Sequence, residues 1–451
     1  MPRPTLRAPL HLALGLALAL ALGLAGCDRP VVDLAGPRIE VVQPADLGVV
    51  QPGATLDLAF RADVFGDLDS VRVGGRRAAF DPNRTLYEIE VPLFGGLNVL
   101  PVDVYDATGL RGSDTLYVVR ASLEPLTAPV SGTTGPAAGA AATALPSGDV
   151  LVSGGAGANG QARAVATRLS EVGGVLAFDA VPLLDPRAAH SATALPDGRV
   201  LLIGGARTVA PAPLALVGTV EAVDAETGEA EPVAVVDQEG VAVAINRAGH
   251  EATVLTLDGI TVIYLYGGVN AQGVPLGTFD IFRWDGATLT RLSPPGGTSG
   301  GFPAFAAPTL VRTGAQGAAE GSAVVLGLEE ASNGLSAVAL DWLAPTGTRY
   351  PFDLEGRTVR PLAVPRAETA GVFTEGFVLV AGGRAADGTT LDTFEAYVPS
   401  INRTFRFPEA TRLATPRRDH SATLFPDGRI LIVGGRDASG APVSSVEVFR
   451  L

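Results

Sequence analysis

From residue 38 to residue 120 the chain alternates apolar and polar positions in short runs. Residues 38–43, 55–64, 69–73, 86–91, 99–105 and 114–119 each read with period two. Turn residues such as Pro52-Gly53, Asp81-Pro82-Asn83 and Thr108-Gly109 separate them. Successive side chains of a strand point to opposite faces, so this alternation marks sheets with one buried and one wet face. Strands recurring about every ten residues predict an antiparallel β-sandwich over 38–120.

After residue 121 the pattern becomes a repeat. PRAAHSATALPDGRVLLIGG (186–205) returns as PRRDHSATLFPDGRILIVGG (416–435) and, more loosely, as NRAGHEATVLTLDGITVIYLYGG (246–268). PRAETAGVFTEGFVLVAGG (365–383) and GPAAGAAATALPSGDVLVSGG (135–155) keep the ending, and 302–328 is a worn copy. The first glycine of each pair, or its equivalent, falls at 154, 204, 267, 327, 382 and 434, at intervals of 50, 63, 60, 55 and 52. A fixed period of this size means one supersecondary unit stacked repeatedly. Each copy predicts a short inner strand, a tight turn, and an apolar run such as Val200–Ile203 that needs burial on both faces. A third strand follows, as at Phe394–Val398 or 446–451, and a fourth, as at 288–292 or 403–407. Gly204, Gly205, Gly267, Gly268, Gly382, Gly383, Gly434 and Gly435 are expected where a positive φ or a close backbone approach excludes a Cβ.

Over 121–451 these copies resemble Kelch repeats, each of which forms a four-stranded propeller blade. The stretch GLNVLPVDVYDATGLRGSDTLYVV (96–119) resembles the closing hairpin of bacterial immunoglobulin-like domains, which commonly act as stalks or spacers. The resemblance implies an all-β chain: an Ig-like β-sandwich (38–120) followed by a six-bladed Kelch-like β-propeller (121–451). The family's fourth-strand Trp is replaced by Leu289 and Phe405, its third-strand Tyr-Asp pair is mostly lost, and copy four has Gly327-Leu328. The sixth copy ends after its third strand, so SLEPLTA (122–128), within 121–132, is expected to supply the missing outer strand and close the ring.

The first 26 residues read as a leader. Arg3 and Arg7 precede an unbroken Leu/Ala/Gly run over 12–24, which suits a signal peptide and is too short for a bilayer span of about 20 residues. Leu24-Ala25-Gly26-Cys27 matches the bacterial lipobox. The match implies cleavage before Cys27, lipidation of Cys27, a tether over 27–37, and residence in the cell envelope. There the lipid anchor would hold the protein to the outer or inner membrane, in the periplasm or at the cell surface.

Composition narrows the chemistry. With 56 Gly and 34 Pro, long helices are disfavoured. Every cation is Arg, and without the leader 31 Arg face 47 Asp and Glu, a balance that repels nucleic acid. Cys27 is the only cysteine, which rules out an intramolecular disulfide, a Cys-rich zinc site, an iron–sulfur cluster and the Tyr–Cys crosslink of galactose oxidase-type sites. No metal or cofactor is expected. Asp103, Asp106 and Asp114 lack the order of a calcium loop and read as turn carboxylates.

Two motifs match catalytic patterns without the required context. Gly155-Ala-Gly-Ala-Asn-Gly160 has the dinucleotide spacing, but 162–169 aligns with strand-like segments of other repeats where that fold needs a helix. Gly297-Thr-Ser-Gly-Gly301 resembles a nucleophile elbow but lies among prolines and reads as a loop. His190, His250 and His420 share one repeat position, R-x-x-H, and read as structural imidazoles near the channel. Arg187, Arg247, Arg366 and Arg417 share another. They are candidates to face a carboxylate or phosphate ligand at the channel mouth, or to pair with nearby acids. The expected function is a membrane-anchored protein presenting its propeller to a protein or glycan. The alternative is a sugar-acting, mutarotase-like enzyme at the channel mouth, which converging acids and arginines in the channel would favour.

Overall fold

The computed structural model describes residues 38–451 except 64–67, 108, 127–129, 132–134, 136, 173–174, 210–211, 258, 295–297, 300–303, 314–320, 330–333, 336, 343–354 and 360–361. The leader, Cys27 and the tether lie outside the described residues. Among the described residues every regular element is a strand except the 3-10 turn Pro399–Ile401, and no helix is long and apolar enough to cross a membrane.

The alternating region folds as eight strands: β1 (Arg38–Gln43), β2 (Thr55–Asp63), β3 (Leu68–Val73), β4 (Arg76–Arg77), β5 (Ala79–Asp81), β6 (Leu86–Pro92), β7 (Gly96–Asp106) and β8 (Gly109–Arg120). They form two antiparallel sheets, ordered β1-β2-β6-β5 and β4-β3-β7-β8. The inward positions of the period-two pattern meet in one core: Leu56, Leu58 and Phe60 from the first sheet, Val71, Val102 and Val118 from the second.

The repeats fold as six small sheets. The first holds Ala138–Ala144, Val150–Ala156, Val165–Val172 and Val175–Pro182; the second Ser191–Ala194, Val200–Ile203, Val220–Asp224 and Glu229–Val236. The third holds Glu251–Leu257, Ile260–Tyr266, Thr278–Trp284 and Thr288–Arg291; the fourth Thr309–Arg312, Gly321–Leu326, Ala337–Trp342 and Glu355–Val359. The fifth holds Ala370–Thr374, Phe377–Ala381, Phe394–Val398 and Arg403–Arg406. The sixth has three strands of its own, Arg418–Leu424, Arg429–Arg436 and Val446–Arg450, and takes its outer strand from β9 (Glu124–Leu126). Each first strand lies against the first strand of the next sheet, and the sixth against the first, so the sheets form a closed ring around a central channel. Second strands such as Val200–Ile203 are buried on both faces, sandwiched between neighbouring sheets.

Outer edges are covered as well. β10 (Val130–Ser131) pairs in parallel with Val175–Pro182 of the first sheet, and the outer strands of sheets two and three pair with each other. Residues 48–50 run along Arg403–Arg406: the Arg406 N–H donates to Gly48 O and the Val50 N–H to Arg406 O, each at 2.8 Å. Such capping removes free strand edges.

The glycine pairs join the ring together. Both residues have positive φ, 62° at Gly204 and 94° at Gly205. A Cβ on Gly204 would lie 2.9 Å from Arg247 O and 3.0 Å from the His250 ring in the next sheet; one on Gly205 would lie 2.8 Å from His190 Cβ in its own sheet. The N–H of the second glycine then donates to the carbonyl at the repeat's arginine position one sheet on: Gly155 to Arg187, Gly205 to Arg247, Gly268 to Phe305, Gly383 to Arg417, and Gly435 round to Ala137.

The sandwich does not behave as a freely hinged spacer. Val50, Val119, Ala121 and Leu123 share an apolar core with sheets five and six, including Phe377, Phe405 and Phe449. Arg403 stacks 5.6 Å over the Tyr117 ring, Arg406 pairs with Asp46, and Gly95 and Gly96 abut Glu375 in the first turn of the fifth sheet. The G-x-G-x-x-G segment is followed by strand Val165–Val172, as the repeat alignment requires. Thr298–Ser299, expected in a loop, instead forms a two-residue strand against Thr278 and Phe279.

Candidate functional site at the channel mouth

The loop leading into each first strand builds one end of the channel. Its arginine turns inward. Arg187 is fully buried and pairs at 2.8 Å with Glu221, itself 1% exposed; it also donates to Gly204 O at 3.0 Å and Thr219 O at 3.3 Å. The arrangement recurs as Arg247 with Asp280, Gly267 and Thr278, as Arg366 with Glu395, Gly382 and Thr393, and as Arg417 with Glu447, Gly434 and Ser445. The reading of these four arginines as ligand-facing is therefore corrected. Their terminal guanidinium nitrogens are spent inside the sheets, tying the first glycine to the third strand. The signal for the partner acids stands in the sequence as a Thr/Ser-x-Glu/Asp triplet at 219–221, 278–280, 393–395 and 445–447. The first copy has Ala137 for the arginine and lacks the triplet; Arg163 supplies a donor to Gly154 O there, at 3.2 Å.

The histidines bridge neighbouring sheets. His190 Nε2 lies 2.8 Å from Ser153 Oγ of the first sheet, and His250 Nε2 lies 3.1 Å from Ser191 Oγ of the second. Burial pushes His250 and His420 down to about 3, helped by the guanidinium of Arg247 or Arg417 respectively, and holds His190 well below the usual histidine range. All three are neutral imidazoles at physiological pH.

Between arginine and histidine, the residue just before the histidine position adopts a left-handed backbone: φ is 65° at Gly139, 52° at Ala189, 68° at Gly249, 54° at Glu368 and 52° at Asp419. These residues link head to tail around the mouth. Ala189 N–H donates to Gly139 O at 2.7 Å, Gly249 N–H to Ala189 O at 2.6 Å, and Asp419 N–H to Glu368 O at 3.0 Å. A side chain at positive φ costs about 1 kcal/mol or more, so two adjacent acids at such positions point to function.

Those two acids gather arginines. Glu368 accepts from Arg384 and Arg418, each at 2.8 Å, and Asp419 faces Arg436 at 3.5 Å. All five groups are partly exposed. Burial, then the Glu368 charge, raises Asp419 to about 6, against the pull of the arginines. Two residues beyond the mouth position of the third sheet, Glu251 also lines the channel, and burial pushes it up to about 8. The cavity holds about 200 Å³ and is otherwise walled largely by Ala, Gly, Ser and Thr. None of these acids, nor Arg384, Arg418 or Arg436, stood out in the repeats. The readable signal was an acid at the mouth position together with G-G-R (382–384 and 434–436), found only in copies five and six.

These ionisations set an acid limit on stability. Neutral His250 and His420 in the fold become charged below about pH 6.5 on unfolding, so the stability they contribute is present above that value and lost as pH falls toward 3. Raised carboxyls act oppositely: Asp419 and Glu251 favour the fold while protonated, a contribution lost as pH rises through about 6 and about 8. With His190, held low in the same way, three imidazoles take up protons against the two carboxyls that release them, a net of one to two protons on unfolding between about pH 5 and pH 4, or roughly 1.4–2.8 kcal/mol per pH unit. Thermal melts should peak near neutrality and fall steadily from pH 6 to pH 4; a flat profile there would contradict the assignment.

A ring of small antiparallel sheets around a polar channel defines a propeller-like all-β protein. Among solved structures the chain is similar to the structure of YjhT, at 14% identity and a TM-score of 0.51, over 71% of this chain and 97% of that one. At that identity the likeness concerns the fold alone. No protein-family model and no curated protein matches the sequence.

Proposed function

We propose that this chain is a lipid-anchored protein of the bacterial cell envelope, an immunoglobulin-like sandwich joined to a six-bladed Kelch-like propeller, that binds a small polyhydroxy ligand of the sugar class at the channel mouth. The observation carrying the reading is the Glu368–Asp419 pair, held at left-handed positions among Arg384, Arg418 and Arg436. Carboxylates accept from hydroxyls and guanidiniums donate to them, so adjoining pairs suit vicinal hydroxyl groups. A cavity of about 200 Å³ admits a small ligand, or the terminal unit of a glycan, and no folded domain. The lipobox at Cys27 supports the anchor, and the ring of six sheets, five of its junctions linked through glycine pairs, supports the Kelch-like reading.

Catalysis on such a ligand is the second reading. It is favoured by Asp419, which at about 6 can carry a proton near neutral pH beside a carboxylate clamped by two arginines.

A thermal-shift panel of neutral sugars, amino sugars, sialic acids and peptidoglycan fragments tests the site. A ligand of the mouth raises the melting temperature of the wild type by mass action, and Asp419→Asn and Glu368→Gln abolish the shift. A shift that persists in both variants, or a panel with no active member, would overturn the reading. In the producing cell, fatty-acid labelling of the wild type but not of Cys27→Ser tests the anchor.

A further inference from the structure

Charge accounting along the channel leaves one carboxyl without a counter-charge. Glu368 meets Arg384 and Arg418, and Asp419 meets Arg436. Glu251, deeper in, has only the Ala252 N–H, and no cation among the described residues reaches it. The first strands on either side of it, Ser191–Ala194 and Thr309–Arg312, hold one charged residue, Arg312, whose guanidinium donates to Val254 O at 2.9 Å. The nearby imidazoles of His190 and His250 are neutral.

His190, His250 and His420 line the same cavity, each more than nine-tenths buried, and the Nδ1 of each ring has no hydrogen-bond partner. Those Nδ1 atoms are closed off from the channel and the neutral rings bring it no charge, so among the described residues Glu251 stays the one lining carboxyl without a cation, a place completed by something positive. A metal ion fits poorly, since no group of three or more His, Cys, Asp or Glu able to hold one occurs among the described residues. A single carboxylate matches a single ammonium, and in a protein channel that attraction is stronger than in bulk solvent.

We propose that the channel takes a small polyhydroxy ligand bearing one ammonium group, an amino sugar in chemical class, with the ammonium seated on Glu251 and the hydroxyls held at the Glu368–Asp419 mouth. The inference rests on the channel-mouth reading above and adds the charge of the ligand. It also couples binding to proton release, because burial keeps Glu251 protonated in the empty channel and an ammonium draws it to the carboxylate.

Glucosamine and glucose have the same frame and differ by an ammonium in place of one hydroxyl, so together they read the charge term directly. Titration calorimetry at pH 7 on the full chain is expected to give roughly tenfold or tighter binding of glucosamine over glucose. The glucosamine heat should vary with the ionisation heat of the buffer, reporting proton release, while the glucose heat should not. Glu251→Gln keeps the shape, removes the charge and should erase the preference; its melting temperature checks that it folds, and the wild-type comparison stands without it. Equal binding of the two sugars, a preference that survives in Glu251→Gln, or no binding of either overturns the proposal. Should glucose or another panel member bind in a manner lost with Asp419→Asn while glucosamine shows no advantage, the ammonium assignment fails and the mouth reading stands.

Discussion

Arg366→Ala is expected to remove about 3–5 kcal/mol of folding stability, more than the truncation of most apolar core residues. The guanidinium is fully buried and its partner Glu395 is 2% exposed. It donates to Gly382 O at 2.9 Å, to Thr393 O at 3.0 Å and to Thr393 Oγ1 at 3.2 Å, besides pairing with Glu395. Glu395 in turn accepts from the N–H groups of Ala363 at 2.6 Å and Val364 at 3.0 Å, fixing the loop that precedes the fifth sheet. Removing the arginine strands a buried carboxylate and leaves two carbonyls unserved, and the desolvation of those groups is the larger part of the loss. Denaturant unfolding of Arg366→Ala, Glu395→Ala and the double variant measures this. The double variant should lose clearly less than the two single losses combined, because neither charge is then left alone. A loss below about 1 kcal/mol in Arg366→Ala would show that the node is a solvated surface pair.

The same node shows what a sequence discloses and what it hides. Second strands such as Val200–Ile203 are legible because burial on both faces demands an unbroken apolar run, and the glycine pairs because positive φ and a neighbouring sheet both exclude a Cβ. Repetition fixes where an arginine sits in the unit but not which way it points. Arg187 could have faced the channel or the third strand, and only the register that brings it to Glu221 decides. The candidate site was hidden for a related reason. Glu368 and Asp419 lie 51 positions apart in the chain and become neighbours only through ring closure, and their arginines come from two repeat positions, Arg418 at the start of the sixth sheet and Arg384 and Arg436 just after glycine pairs. What is common to all copies carries the fold. The acids at two mouth positions are where copies five and six depart from it, and departures are hard to weigh before the ring is known.

Replacing residues 123–126 with a Gly/Ser segment in the full chain should lower stability by roughly 5 kcal/mol and the melting temperature by about 10 °C. Leu123 is buried with Phe377, Phe405 and Phe449, and truncating one such leucine alone costs about 2–5 kcal/mol. Leu126 packs on the core between the sixth and first sheets, and Glu124–Leu126 pair with Val448, Phe449 and Arg450. Without them the sixth sheet keeps three strands and an open edge. Val130–Ser131, paired with the outer strand of the first sheet, then follow an unanchored segment, so both sides of the closure weaken together. A ring differs from an open stack in this respect, since each sheet depends on two neighbours and a breach at one junction exposes apolar faces on both sides. The open edge of Val446–Arg450 should then pair between molecules, visible as concentration-dependent association by size-exclusion chromatography. An unchanged melting temperature with a monomeric profile would mean that the inter-sheet hydrogen bonds, Gly435 N–H to Ala137 O among them, suffice to close the ring without β9.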